Sequence, residues 1–344
     1  MRLIDRIIQC RTPFIVENVL NGSHTRLSGA MDGAKDLDRC PIRYVLDDAL
    51  ISLCTDLAYS NGATIMDCAD LIRVPAQSTW VEWCNKPWQH ALSRNGLDGE
   101  PDNAPPAGHY GIHLHASRDG RCGVMRAFWS VGDNELDVHA SATLARFCLD
   151  DAGAPLLPDE PGVLRVAARE LDPEGILSRC FQFEFEDSWA RYYREAAPST
   201  SQQKEILHRS IGVVALAVPA LLAFFLLLTT RAGLPQYQSQ LQRLNRDRMQ
   251  RGRAPLADHI KVSAPLLPPY REAESEAAPA GARRQPRLHH VRGHLVRRND
   301  RLIWRVPHLR GRSHAGTLKS RTVEWRFEAG QSQRAERSSR GSTP

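Results

Sequence analysis

Residues Ile211–Thr230 read IGVVALAVPALLAFFLLLTT, twenty positions without a charge, with Arg209 and Arg231 close to either end. A run of this kind has to leave water, since burying a single Leu or Phe side chain is worth about 1.5–3 kcal/mol. About 20 apolar residues are enough to span a bilayer. The same run can equally be the central helix of a globular fold, buried on all sides. Pro219 is compatible with either arrangement, and the residues themselves leave both open. Upstream, Ser199-Thr200-Ser201 followed by Gln203, Lys204 and Glu205 has the chemistry of a helix start, because a hydroxyl there accepts from the unpaired amides of the first turn. The helix is therefore expected to begin well before the apolar run and to cover residues 200–232.

The surrounding segments supply a sheet for this helix. Leu46, Ala49, Leu50, Leu53 and Leu57 recur at three and four residues, which predicts a helix over 43–60. A shorter helix is expected over 63–73, ended by Val74-Pro75, because the residue before a proline is pushed out of the helical region. Thr79–Trp83, Tyr110–Ala116, Cys122–Ser130 and Glu135–Ala140 read as strands. Residues 94–108 are rich in Gly, Pro, Asp and Asn and read as a loop. Residues 177–186 alternate cleanly, with Phe181, Phe183 and Phe185 on one face and Gln182, Glu184 and Glu186 on the other. The expected fold class is α+β, a mixed sheet with helices packed around a central apolar helix. Residues 1–262 form the expected mixed body.

Charge divides the chain. Residues 283–344 carry sixteen Arg and Lys against four Asp and Glu, whereas the first 282 residues hold 29 basic and 35 acidic groups. An acidic body with a basic tail points to a phosphate-bearing or acidic partner for the tail. Tyr237–Pro255 is a second basic stretch, with Arg243, Arg246, Arg248, Arg251 and Arg253. Residues 263–286, rich in Pro, Ala and Glu, read as a flexible linker. The eight cysteines show no CxxC spacing, so no disulfide framework is expected. The start of the chain carries Asp5 and lacks an apolar leader core, so the reduced cytoplasm of a host cell is the expected setting.

The most specific stretch is His289–Gly311, part of a basic β-module expected over 287–328 and followed by a disordered tail, 329–344. Val291–Arg298 and Leu302–Val306 are two β-rich runs. Asn299-Asp300 between them tolerates the positive φ that hairpin turns require. Thr322–Phe327 would add a third strand. In this arrangement Val291, Leu295 and Ile303 point one way while Arg292, His294 and Arg298 crowd the exposed face. Arg interleaved with His and Trp fits nucleic-acid contact through phosphate pairing and planar stacking, and it also fits an acidic protein surface. The candidate contacts are Arg292, His294, Arg297, Arg298, Trp304, Arg305, His308 and Arg310. The histidines join no Cys or carboxylate in a ligand-like spacing, so no metal or other cofactor is expected. No nucleophile motif, Gly-rich phosphate loop or carboxylate pair accompanies them, and an enzyme is not expected.

Three blocks carry a resemblance to a known family. They are Val74-Pro75-Ala76 with Trp80-Val81-Glu82-Trp83; the apolar helix followed by Leu244-Asn245-Arg246-Asp247-Arg248 and Arg253-Ala254-Pro255-Leu256; and His290-Val291-Arg292-Gly293-His294 with Trp304, Pro307-His308 and Arg310-Gly311. Together they resemble phage, prophage and plasmid proteins that include a type V-A anti-CRISPR protein. The resemblance implies a soluble mixed body with the apolar helix as its core, and so a membrane is not an expected partner. It also implies a non-enzymatic counter-defence role, in which the nascent N-terminal segment of the type V RNA-guided nuclease is recognised during translation and its message is lost. The expected partners are thus a host defence protein or its nascent peptide, with RNA or the ribosome at the basic hairpin. A general nucleic-acid-binding phage regulator and a single-span membrane-anchored protein are the alternatives.

Overall fold

The structure, a computed structural model, describes residues 2–10, 14–18, 23–27, 36–60, 62–97, 108–130, 138–149, 163–172, 175, 177–197, 199–230, 233–265, 287–291, 294–298, 301–305, 308–310 and 312–317. Two compact units emerge from the chain. The first comprises Met1–Leu266 with Leu295–Trp304, and the second Leu267–His294 with Arg305–Pro344.

The first unit is α+β. Its sheet has eleven strands among the described residues: β1 (Phe14–Asn18), β2 (Ser23–Leu27), β3 (Ile42–Leu46), β4 (Ser78–Cys84), β5 (His109–Ala116), β6 (Cys122–Ser130), β7 (Val138–Cys148), β8 (Arg165–Ala167), β9 (Phe181–Phe185), β10 (Gln236–Gln238) and β11 (Ile260–Val262). The order runs β10-β11-β3-β4-β5-β6-β7-β1-β2, with β9 also on β7 and β8 on β9. β11, β3 and β4 are mutually parallel, as are β1 and β7; the other pairings are antiparallel. The sheet is therefore mixed. Cys122 and Cys148, opposite one another at the ends of β6 and β7, are joined by a disulfide.

The helices are α1 (Leu3–Gln9), α2 (Asp48–Ser60), α3 (Gly62–Asp67), α4 (Asn85–Arg94), α5 (Ala168–Leu171), α6 (Asp187–Ala196), α7 (Thr200–Ala215), α8 (Val218–Leu228) and α9 (Gln242–Gln250). Where a helix over 43–60 was expected, Ile42–Leu46 is instead strand β3 and the helix starts at Asp48. Asp47 sets that boundary, since its carboxylate accepts from the Leu50 amide at 2.7 Å. Helix α4 was not anticipated. It follows β4 directly and places Trp88 edge-on to Trp83, their ring centroids 5.7 Å apart.

The apolar run is the core. Every residue from Val218 to Leu227 is buried, and Phe224 meets Tyr44 of β3 edge-on at 5.4 Å. Thr200–Leu228 has the length and apolarity to cross a membrane, yet 72% of its most apolar window is buried inside the protein. It is not one continuous helix. The α7 and α8 segments are separated at Leu216-Ala217, because Pro219 has no amide to give the carbonyl four residues back. Tyrosines satisfy carbonyls around the break: Tyr110 of β5 donates to Val213 O at 2.5 Å, and Tyr59 of α2 to Leu216 O at 3.3 Å. Burial pushes the Tyr59 hydroxyl up to about 12, so it remains a donor.

The opposite face of the sheet carries α1. Trp80 and Glu82 of β4, two residues apart, lie on this side with Phe128, whose ring centroid is 5.9 Å from that of Trp80 and of Phe14. Gly111 sits opposite Glu82 in the ladder. A Cβ there would meet the Trp80 ring at 2.3 Å, so only glycine lets the indole lie flat across the strand.

In the second unit, β12 (Arg287–Val291) pairs antiparallel with β15 (His308–Arg310) and parallel with β16 (Arg312–Thr317). The hairpin of β13 (His294–Arg298) and β14 (Arg301–Arg305), by contrast, falls with Leu295–Trp304 in the first unit. The expected single strand Val291–Arg298 is thus two strands with different partners. The expected strand Thr322–Phe327, the tail and most of the expected linker lie outside the described residues.

Candidate functional site

The expected contacts on the hairpin are divided by their surroundings. Leu295, Leu302 and Trp304 are buried at 8%, 5% and 4% exposure, whereas Ile303 is 37% exposed. Ile303 therefore takes the open side of β14 and Trp304 the closed one, the reverse of the expected alternation. Trp304, proposed for stacking on a base, has its ring enclosed. Arg297 forms a forked ion pair with Asp70 at 3.0 and 3.1 Å and donates to Asp67 O at 2.8 Å, so its charge serves to hold the hairpin. Arg298 and Arg305 are exposed. His294 opens β13, and His308 and Arg310 belong to β15. Arg292 lies outside the described residues.

Among the described residues, an open cationic surface also lies elsewhere, on an arm formed by β10, α9 and β11. β10 and β11 pair with Tyr237 opposite Lys261 and present α9 between them. No residue of α9 is buried. A nine-residue helix without a packed face is marginal in water, and local ties account for this one. Gly252, at φ +67°, ends it in the left-handed conformation. There Gly252 N donates to Met249 O at 3.0 Å and Arg253 N to Arg248 O at 2.9 Å, the reverse-turn pattern that satisfies last-turn carbonyls. Asn245 then clamps the returning chain. Its side chain accepts from Leu256 N at 2.8 Å and donates to Leu256 O at 2.9 Å, while Arg248 Nε donates to Ala254 O at 2.9 Å.

Helix α1 anchors the base of the arm. Arg2 donates to Ala257 O at 2.7 Å, Asp5 accepts from Ala257 N at 2.8 Å, and Arg2 also meets the His259 ring nitrogen. Burial and the Arg2 cation both push the His259 imidazole below its ordinary value. On this frame Arg243, Arg246, Arg251 and Arg253 are exposed. Tyr237, Leu244 and Met249 are exposed as well, at 61%, 47% and 57%. Large apolar groups set among arginines are the composition of binding surfaces, where Tyr, Met and Arg are enriched. The five arginines are plain in the sequence; that Arg243, Arg246 and Arg248 stand on a helix with no buried residue, with Arg251 and Arg253 just beyond its end, is visible only in the fold.

The chain is an α+β protein with a mixed sheet around a buried apolar helix. No family model matches it, and neither a curated protein nor a solved structure does.

Proposed function

We propose that this chain is a counter-defence protein of a mobile element, similar to anti-CRISPR proteins, which binds a host nuclease or its nascent chain and message and so prevents its production. It acts by binding, without chemistry of its own, in the host cytoplasm. The observation that supports this reading is the Asn245–Leu256 clamp. It ties together two segments of one block of the family resemblance, Leu244–Arg248 and Arg253–Leu256, in one exposed cationic arm. Arginine beside exposed Tyr, Leu and Met can hold phosphates and stack or pack at once. In this reading the RNA contact falls on the arm as well as on Arg298 and Arg305 of the hairpin.

The deciding experiment is expression of the chain in cells carrying a type V nuclease, followed by its pull-down and identification of the recovered RNA and protein. Ribosomes together with the nuclease message, and a fall in nuclease level, are the expected outcome. Many messages recovered without preference, at unchanged nuclease level, would instead assign a general nucleic-acid regulator, which the arginines of the arm would equally serve.

A further inference from the structure

A second cationic feature lies at the β8–β9 edge of the sheet, where a cleft of about 410 Å³ is lined by Arg146, Arg165, Arg191 and Arg194. Its floor is built by three strands. Glu184 of β9 is 5% exposed; it accepts from Arg146 Nε of β7 at 2.6 Å and from Arg165 Nε of β8 at 2.9 Å. Arg165 lies directly opposite Glu184 in the ladder, so backbone pairing fixes the geometry. One carboxylate thus faces two guanidinium groups.

The wall is helix α6. Asp187, Ala190, Arg191 and Arg194 line the cleft at the i, i+3, i+4, i+7 spacing of a single helical stripe. Trp189 and Tyr193, between them in sequence, are fully buried and belong to the core. The small Ala190 side chain leaves room where a larger one would fill the opening. Glu184 already has two partners, so a purely structural ion-pair network has no need of Arg191 and Arg194. Among the described residues, the lining sets the guanidinium groups of Arg146, Arg165, Arg191 and Arg194 beside the carboxylates of Glu184 and Asp187.

We infer that this cleft is a binding site for a small phosphate monoester of about mononucleotide size. Guanidinium forks pair with phosphate oxygens in a bidentate way. A phosphate monoester carries about −1.5 to −2 at neutral pH and three acceptor oxygens, so it can engage several guanidinium groups at once where a single carboxylate offers two oxygens. The volume falls in the range of about 300–1,000 Å³ typical of small-molecule sites and exceeds what the phosphate alone requires. Val163, 38% exposed, supplies apolar surface for the rest of the ligand. The inference is independent of the arm and of the counter-defence reading.

The test is calorimetric titration of the full chain with AMP, adenosine and inorganic phosphate in phosphate-free buffer. AMP is expected to bind and adenosine not to. Arg191→Ala, at an exposed helix position, is expected to weaken AMP by about tenfold, as expected when one charge-assisted pair is removed. Ala190→Trp should abolish AMP binding by filling the cleft. Arg209→Ala, which removes an exposed charge from α7, should leave it unchanged. AMP binding more tightly than inorganic phosphate assigns a nucleotide-like ligand, and equal affinities assign free phosphate; both support the site. No AMP heat at millimolar concentration, equal binding of adenosine, or equal weakening by Arg191→Ala and Arg209→Ala would overturn it.

Discussion

Glu82, fully buried in β4, accepts the backbone amides of Leu3 and Ile4 at 2.8 and 3.1 Å, so that a carboxylate from the middle of the sheet caps helix α1. The helix has no side-chain cap of its own, and its first amides would otherwise be buried without partners. Trp80 Nε1 donates to the same carboxylate at 3.1 Å, and His109 Nδ1 lies 3.6 Å from it.

Replacing Glu82 by Leu should therefore cost about 3 kcal/mol or more, since an orphaned buried donor costs about 1–3 kcal/mol and two amides lose their acceptor. Glu82→Gln keeps one acceptor oxygen and should cost less. Gly111→Ala, which drives a methyl into the Trp80 ring, should cost about 1–3 kcal/mol. Urea denaturation followed by tryptophan fluorescence reads all three. A Glu82→Leu protein as stable as the parent would refute the cap.

The hairpin divides into holding and presenting residues. Trp304→Ala should destabilise the first unit by about 3–5 kcal/mol, the usual cost of emptying a buried aromatic site. Asp70→Ala breaks a partly exposed ion pair and should cost no more than about 1 kcal/mol. Arg298→Ala should leave the melting temperature unchanged and lower only RNA binding. Thermal melts alongside filter binding separate these roles, and a stable Trp304→Ala protein that no longer binds RNA would return Trp304 to the contact surface.

For the arm, the triple variant Arg243→Ala, Arg246→Ala and Arg251→Ala should lower the slope of log K against log salt by roughly 2, at about 0.7 for each single-strand phosphate that is no longer neutralised. Asn245→Ala should weaken RNA binding without removing a charge, because it releases the clamp on Leu256. Titration of labelled RNA at several salt concentrations measures both. An unchanged salt slope in the triple variant would remove the arm from the RNA interface.

His259 makes the base of the arm sensitive to acid. Its imidazole is held below the ordinary 6.5, first by burial and then by Arg2, against the weaker opposing pull of Asp5 and Asp258. Above 6.5 it is neutral in both the folded and unfolded chains and stability is unaffected. Below 6.5 the unfolded chain takes up the proton first, so stability falls with pH down to the lowered folded value. His259→Asn should reduce this fall. Denaturation midpoints at pH values of about 7.5, 6.5 and 5.5, which bracket the ordinary histidine range, should show the difference between parent and variant narrowing or inverting as the pH drops. A pH-independent difference would mean that His259 does not titrate in this window.

Much of the body was legible in the sequence. The strands Ser78–Cys84, His109–Ala116 and Cys122–Ser130 answer to runs read as strands at Thr79–Trp83, from its alternation, and at Tyr110–Ala116 and Cys122–Ser130, from the turn residues between them. The apolar run declares a helix that must leave water, but its choice between membrane and core, and its break before Pro219, came only with the fold. Ile42–Leu46 was hidden because Leu46 also fits the helical spacing of Leu50, Leu53 and Leu57, and a short strand abutting a helix shares its periodicity. Helix α4 was hidden because Asn85-Lys86-Pro87-Trp88 carries few apolar residues and starts immediately after a strand. The cleft left no local trace, since Arg146, Arg165, Glu184 and Arg191 come from four separate elements.

The sequence by itself determined which segments must leave water and which charges must remain near it. Apolar content and periodicity are local properties: they required residues 211–230 to leave water, into a membrane or a core, and set Phe181, Phe183 and Phe185 on one face. Only the tertiary structure decided what each charge does. Arg297 is bound to Asp70 across more than two hundred residues of chain, Arg146 and Arg165 converge on Glu184, and Arg243 and Arg246 are left open on a helix with no buried residue. Whether an arginine is a tie or a contact depends on what stands within about 4 Å of its guanidinium, and that neighbour is brought there by strand pairing and helix docking, which local patterns do not encode.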